Sequence, residues 1–352
     1  MPDIPDIINP FYEVRILSVT KEVQGVSTYI LARPDGIPLT YRAGQFITFT
    51  AQHRHKEERR TYSISSCPAL NEPFSITVKR VENGYYSRML IDNAQPGDLL
   101  LSTGCAGLFT LPDENDYEQV FLLAAGIGIT PVFSLLKEIL HTKPATHVTL
   151  IYSNRSKEET VFYNALQDLL IQFPERFQIA FLYSSAFDIA RARLSKALLP
   201  VLLQEYGKAN KDKMLFYVCG PFTYMRMVLL TLEELGINSA QVKKENFNTE
   251  IRNAVHVVPP DTTTRTVTIK TQQHQYNFPV VYPDSILQAA KKQQVMLPYS
   301  CETGRCGSCV AICSGGRVWH SYNEVLTDAD IAAGRILTCT GHPVYGDVTL
   351  DL

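Results

Sequence analysis

Four cysteines constrain this chain more tightly than any other feature. Three stand in Cys301-Glu-Thr-Gly-Arg-Cys306-Gly-Ser-Cys309, and Cys339 follows after 29 intervening residues in the run Ile336-Leu-Thr-Cys. The spacing C-x4-C-x2-C with a distant fourth cysteine is that of a [2Fe-2S] ligand set, in which a tight loop gives three sulfurs and a remote strand end gives the last. The wider gap lets the chain wrap one side of such a cluster, and the shorter step brings two more sulfurs close together. Gly304 and Gly307 admit backbone angles that turn peptide N–H groups inward toward negative sulfur. Two other readings stay open. Structural zinc favours short Cys pairs, yet Cys301 has no C-x2-C partner. A Cys306/Cys309 dithiol normally opens a helix after a strand, whereas this one follows Pro298-Tyr-Ser. A Rieske centre needs two His ligands, and no His stands inside the loop.

A length of 352 residues leaves room for two or three domains, and 45% hydrophobic with 19% charged residues is ordinary for a globular protein. The formal net charge of -2 argues against a nucleic-acid partner. The start, Met-Pro-Asp-Ile-Pro-Asp, has neither a basic n-region nor an apolar core, and no apolar run reaches membrane-spanning length. The expectation is a cytoplasmic protein with no membrane and no nucleic-acid partner. In a reducing compartment disulfides are not expected, so Cys67, Cys105 and Cys313 read as packed thiols.

The first third, 10–112, reads as short strands broken by Gly and Pro. Val14-Arg-Ile-Leu, Thr28-Tyr-Ile-Leu, Gln45-Phe-Ile-Thr-Phe and Phe74-Ser-Ile-Thr-Val are rich in β-branched and aromatic residues, and a closed antiparallel β-barrel is the natural fold. Two motifs stand here, Arg60-Thr-Tyr62-Ser63 and Gly84-Tyr-Tyr-Ser87, while the charged stretch 53–59 reads as a solvated loop.

Across 113–252 buried strands alternate with amphipathic runs, the pattern of a parallel-sheet α/β nucleotide domain. The first strand runs into Gly126-Ile-Gly128-Ile-Thr130-Pro131. The two glycines let a backbone approach a pyrophosphate, Thr130 suits a helix cap and Pro131 the first helical position, so a positive helix end faces the ligand. The second strand ends in Tyr152-Ser-Asn-Arg155-Ser-Lys157, where an acid would bind a free ribose hydroxyl and an Arg a 2′-phosphate. Arg155, with Lys157 nearby, favours NADPH over NADH. The fourth strand leads to Cys219-Gly220-Pro221, at the strand end that faces the ligand crevice in such sheets. The segment closes with Val242-Lys-Lys-Glu-Asn-Phe247.

A Pro-stiffened linker is expected over 253–264. Beyond it, 265–352 holds a hairpin, a helix from Pro283 capped by Asp284 or Ser285, the cysteine loop and a returning strand at Gly346-Asp-Val-Thr-Leu.

Together these motifs resemble the ferredoxin–NADP reductase superfamily, joined to a plant-type ferredoxin of α+β, β-grasp form. The resemblance covers nearly the whole chain, in the order flavin barrel, nucleotide domain, ferredoxin. It implies that Arg60 neutralises a flavin phosphate, that Tyr62 packs against the flavin, and that the Ser63 hydroxyl and backbone reach the reactive edge of the ring. Gly84 and Ser87 would give donors to the pyrophosphate. It also makes the Gly126 to Pro131 loop the nicotinamide dinucleotide loop and sets Cys219-Gly220-Pro221 beside the nicotinamide, with Cys219 positioning the hydride-donating carbon. Phe247 would cover the flavin face opposite the barrel, a core Phe being the alternative reading. The metal ligands would be Cys301, Cys306, Cys309 and Cys339.

Nicotinamide releases two electrons as hydride, while a [2Fe-2S] centre takes one at a time, and flavin can do both. The implied activity is therefore electron supply from NADPH through FAD and the cluster to an acceptor protein. No facial two-His, one-carboxylate site for substrate oxidation stands out. Chains of this order resemble the reductase subunits of phenylacetyl-CoA epoxidase systems, the leading expectation, and reductases of aromatic oxygenases, ring-hydroxylating dioxygenases, desaturases and hybrid-cluster proteins. FMN replaces FAD in the phthalate dioxygenase reductase type. A non-catalytic cluster-binding redox sensor is the reading from a different class. Oligomeric state is not legible.

Overall fold

Along β1, Tyr12–Val23, buried Val14 and Ile16 alternate with exposed Glu13, Arg15 and Leu17, the period of two that one buried strand face requires. The computed structural model describes residues 11–53, 56–113, 116–247, 257–271 and 274–352. After β1 come β2, Val26–Ala32, β3, Phe46–His53, β4, Lys56–Ser63, β5, Ser75–Lys79, helix α1, Tyr85–Asn93, and β6, Leu99–Ala106. They form one sheet in the order β4-β3-β6-β1-β2-β5, and a bridge between Ile64, just past β4, and Ile76 in β5 brings its two ends together. This is the barrel the sequence led one to expect.

β4 differs from expectation, because most of the charged stretch read as a loop is strand. Glu58, Arg59 and Arg60 pair in register with Ala51, Thr50 and Phe49 of β3. Neighbours two apart on a strand share a face, so Arg59 meets Glu57 at 2.5 Å and Arg60 meets Glu58 at 3.1 Å. Each face is thereby neutralised, and the backbone is free to pair.

The second sheet is parallel, in the order β11-β10-β7-β8-β9. Its strands are β7, Gln119–Ala125, β8, His147–Asn154, β9, Phe177–Tyr183, β10, Met214–Cys219, and β11, Val242–Glu245. The helices between are α2, Ile129–Thr142, α3, Tyr163–Gln172, the short α4, Ile189–Ala192, α5, Leu198–Tyr206, and α6, Phe222–Glu234. β7 is buried at every position, as a strand covered on both faces must be. Leu122 and Ala124 pack toward α2 and α3, Phe121 and Leu123 toward α5 and α6. α3 starts five residues later than the amphipathic run from Glu158 suggests, because Phe162 takes a left-handed conformation at φ +61°.

The third sheet runs β13-β12-β18-β14-β16, with β12, Arg265–Lys270, β13, Gln275–Val280, β14, Val310–Gly315, β16, Arg335–Leu337, and β18, Val348–Asp351. Helix α7, Ile286–Lys292, follows β13; the ribbon of β15, Val318–His320, with β17, Gly341–Pro343, and helix α8, Asp328–Ala332, complete it. Ser285 caps α7 in a reciprocal pairing with Gln288, which resolves the choice left between Asp284 and Ser285. β12 pairs parallel to β18 and antiparallel to β13, the β-grasp arrangement. The expected linker, 253–264, lies outside the described residues up to 256. Its later part is fastened: the Asp261 carboxylate accepts from the Thr263 and Tyr345 backbone N–H groups and pairs with Arg265 at 3.0 Å. The first two sheets share one compact unit and the third belongs to another.

Candidate redox site

Three strands from two sheets of the first unit meet at one point. Parallel register sets Cys219, the last residue of β10, opposite Glu245, the last of β11. From the barrel, Ser63 Oγ at the end of β4 donates to Glu245 Oε2 at 3.2 Å. Burial of the Glu245 carboxyl pushes it up to about 8, against a smaller opposing effect of the Ser63 hydrogen bond. Cys219 is fully buried, and burial, with the Glu245 charge beside it, raises its thiol well above the ordinary value. Such a thiol is no nucleophile at neutral pH.

The other barrel motifs gather around the same strand. Tyr62 packs on Phe49 and on Tyr86 of α1, with ring centroids 6.1 Å apart in each pair. That contact holds the start of α1, with Gly84 as its N-cap, beside β4. The Ser87 hydroxyl is engaged within its own loop, accepting from Val81 N–H at 3.1 Å and donating to Gly84 O at 3.3 Å. Arg60 donates to the Arg59 carbonyl at 2.8 Å and keeps a largely exposed guanidinium.

At the carboxyl ends of β7 and β10 the two ligand loops touch. Gly126–Gly128 form a 3-10 turn that runs directly into α2, so that helix begins at Ile129 and Gly128 is its N-cap. Thr130 is therefore not the cap expected from sequence, nor does Pro131 open the helix; the Thr130 hydroxyl donates back to Ile127 O at 3.0 Å. A Cβ at Gly128 would lie 2.3 Å from Cys219 O and 2.8 Å from Gly220 N. Backbone atoms cannot yield to it. Gly128→Ala is expected to force these loops apart, costing about 1–3 kcal/mol of stability and weakening dinucleotide binding. Thermal unfolding and a flavin-bleaching titration would read both effects, and an unchanged variant would contradict this close approach.

A cavity of about 300 Å³ in front of these loops is lined by Lys79, Gly126, Gly128, Gly220, Pro221 and Phe247. A second, of about 730 Å³, continues past Pro221 to Arg155 and Arg193. Lys157 does not join Arg155 there. Its ammonium lies 4.6 Å from the Tyr163 ring centre, lining a separate cavity of about 690 Å³.

In the second unit the four cysteines approach as two pairs, Cys306 donating to Cys301 and Cys339 donating to Cys309. Among the described residues no three His, Cys, Asp or Glu side chains stand close enough together to hold one metal ion. A two-iron cluster takes two thiolates at each iron, which two cysteine pairs suit. The loop N–H groups turn inward: Thr303 N–H donates to Cys301 Sγ at 3.4 Å and Ser308 N–H to Cys306 Sγ at 3.5 Å, with the Arg305 amide also at Cys301 and the Gly304 amide at Cys339. Gly304 is required there, since its φ is +74° and a Cβ would lie 2.7 Å from Tyr322 O. These donors suit a negatively charged cluster.

Three domain families match the chain in order: an oxidoreductase FAD-binding domain at residues 14–111, an oxidoreductase NAD-binding domain at 122–229 and a 2Fe-2S iron-sulfur cluster binding domain at 269–344. The chain is 29% identical over 351 residues to one of the subunits of the 1,2-phenylacetyl-CoA epoxidase of Escherichia coli (strain K12), covering 97% of both chains. It is 30% identical to the ferredoxin reductase component of 3-ketosteroid-9-alpha-monooxygenase of Rhodococcus rhodochrous, covering 96% of this chain and 95% of that one. The chain belongs to the ferredoxin-reductase-type family of flavin and iron-sulfur reductases. Among solved structures, phthalate dioxygenase reductase aligns over 97% of this reductase and 98% of its own length, with 26% identity and a TM-score of 0.58.

The reductase thus carries FAD and a [2Fe-2S] cluster and oxidises a nicotinamide dinucleotide. A cation, an aromatic and a hydroxyl on one strand, facing a helix start, fit a flavin, and the paired cysteines with inward amides fit the cluster. Sequence reading missed Glu245, Lys79 and Arg193. Glu245 stands two residues before Phe247, but only parallel register sets it beside Cys219.

Proposed function

We propose that this reductase takes hydride from NADPH and delivers electrons singly to an oxygenase. The observation that carries the reading is the meeting of Ser63, Glu245 and Cys219, which joins the flavin strand to the strand end where nicotinamide would lie. Bound FAD and the cluster supply the redox chemistry, the flavin accepting a hydride and releasing electrons one at a time. Arg60, Tyr62, Ser63, Gly84 and Ser87 hold the flavin in this reading. Gly126, Gly128, Thr130, Pro131, Gly220 and Pro221 shape the dinucleotide loops, and Phe247 covers the flavin face away from the barrel. Cys219 positions the nicotinamide by packing. Glu245 keeps its proton up to about pH 8 and accepts from Ser63 Oγ, so that it would stand as a proton source beside a reduced flavin. Cys301, Cys306, Cys309 and Cys339 hold the cluster.

NADPH is favoured because Arg155 and Arg193 both line the large cavity, whose cations outnumber its one acid, Glu159. Glu159 lies 3.8 Å from Arg155, close enough to hold that guanidinium until a phosphate takes over. Arg155→Gln is expected to raise the apparent KM for NADPH by about tenfold, the scale of one charge-assisted hydrogen bond, and to leave the KM for NADH nearly unchanged. Equal effects on both coenzymes would refute a 2′-phosphate contact.

The relatives named above serve an epoxidase and a monooxygenase, and an oxygenase of that kind, a phenylacetyl-CoA epoxidase-like system first, is the acceptor we assign. Coupled NADPH oxidation with the purified oxygenase component tests this, and reduction of unrelated acceptors alone would overturn it. A cytoplasmic site belongs to the same reading; eight free cysteines suit a reducing compartment, and among the described residues no helix is long and apolar enough to cross a membrane.

A further inference from the structure

An ion pair with no place in the chemistry above, its lysine buried and its glutamate half-buried, joins the barrel to the dinucleotide helix. Lys137, on the third turn of α2, is only 7% exposed, and its ammonium pairs with Glu72 in the segment that follows β4. The same Glu72 carboxylate accepts from Cys67 N–H at 2.7 Å. One turn earlier on α2, the fully buried Ser134 hydroxyl donates to Ser66 O at 2.5 Å. Ser66 is itself held, its hydroxyl bonded to Tyr41 OH at 2.7 Å and accepting from Ser75 N–H at 3.0 Å.

The two anchored elements are the ones whose spacing matters. α2 begins at Gly126–Gly128, the loop that would hold the dinucleotide phosphates, and Ser66 lies three residues beyond Ser63. The same side of α2 makes further contacts: the Lys137 ammonium lies 4.5 Å from the Phe133 ring centre, and Phe133 stacks on Phe162 at 4.3 Å. Phe162 closes the segment that starts at Arg155.

An apolar contact would join these elements more cheaply. Burying a Lys–Glu pair costs desolvation that its attraction seldom exceeds, and replacing such a pair with apolar groups is often neutral or stabilising. What a buried pair with fixed hydrogen bonds gives in return is a single register. We propose that the Lys137–Glu72 pair is a positioning latch that fixes α2 against the Ser63 strand and thereby sets the hydride-transfer geometry between nicotinamide and flavin. The proposal rests on the hydride-transfer reading given above.

The test compares wild type with Lys137→Met and with Lys137→Met/Glu72→Gln, all loaded with FAD and cluster. The glutamine side chain of the double variant can still accept from Cys67 N–H, and in the single variant Glu72 remains partly exposed to water. Stopped-flow flavin reduction at saturating NADPH is expected to slow by about tenfold or more in both, since displacements of an ångström at the reacting atoms cost up to about 10²-fold. The Kd for NADPH, the FAD content and the thermal midpoint of the double variant should stay near wild type, while the long-wavelength charge-transfer band between nicotinamide and flavin weakens. A wild-type rate in either variant overturns the latch. Loss of FAD and a lowered midpoint, with an unchanged rate in the folded fraction, also overturn it in favour of a structural tie. Absence of NADPH-dependent bleaching in the wild type would instead refute the hydride-transfer reading.

Discussion

Cys339→Ser is expected to remove the [2Fe-2S] chromophore and to lower electron delivery to a protein acceptor by on the order of 10²-fold or more, since even changes behind a metal's ligands cost about 10–100-fold. NADPH-dependent reduction of ferricyanide, which draws on the flavin directly, should persist. The backbone around Cys339 is held without its sulfur. Thr338 N–H donates to Cys309 O at 3.1 Å, and Leu337 N–H donates to His320 Nε2 at 2.9 Å. His320 can accept because burial holds its imidazole neutral, well below the usual His range at about 4. The serine variant thus removes one half of the Cys309–Cys339 pair and leaves the strand in place. Visible spectra, iron analysis and the two acceptor assays decide the matter. Loss of ferricyanide reduction together with the cluster would contradict a flavin unit that works independently of the cysteine loop.

Glu245→Gln is expected to slow the proton uptake that completes flavin reduction on the order of 10²-fold, the lower end of what a positioned acid contributes, and to remove a pH dependence. In the wild type Glu245 keeps its proton until about pH 8, so the rate should fall as pH rises through that value. The glutamine keeps a neutral hydrogen-bonding partner for Ser63 but has no proton to give up, and its rate should be flat there. Stability carries the same sign. The folded state holds a proton that the unfolded chain releases at the ordinary Glu range, so stability declines from that range up through about pH 8 and levels off above it. The variant should lose this slope and gain stability on the alkaline side. A rate profile in Glu245→Gln that still breaks near pH 8 would assign the titration to another group.

Local chemistry was legible in the sequence and long-range register was not. The cysteine loop announces itself because its spacing is set within nine residues by the geometry of the group it holds, and Gly304 is needed for a φ that few other residues tolerate. The barrel and the parallel sheet were readable from periodicity, since β1 alternates while β7 is apolar throughout its middle and buried from end to end. Glu245 was not readable, for nothing near it says that β11 pairs with β10 so as to set it against Cys219 and Ser63. β4 was hidden by its charges, which cancel two residues apart on each face. Thr130 was misplaced because a 3-10 turn runs straight into α2, and Lys157 because its ammonium is taken up over the Tyr163 ring.

The most direct measurement is an anaerobic visible titration of the purified reductase with NADPH and, separately, with NADH. The expected result is loss of both flavin and iron–sulfur absorbance, complete with either coenzyme and faster with NADPH. Bleaching of the flavin alone, with the cysteine-borne absorbance absent or unmoved, would leave a flavin reductase and contradict an electron path that ends at the cluster.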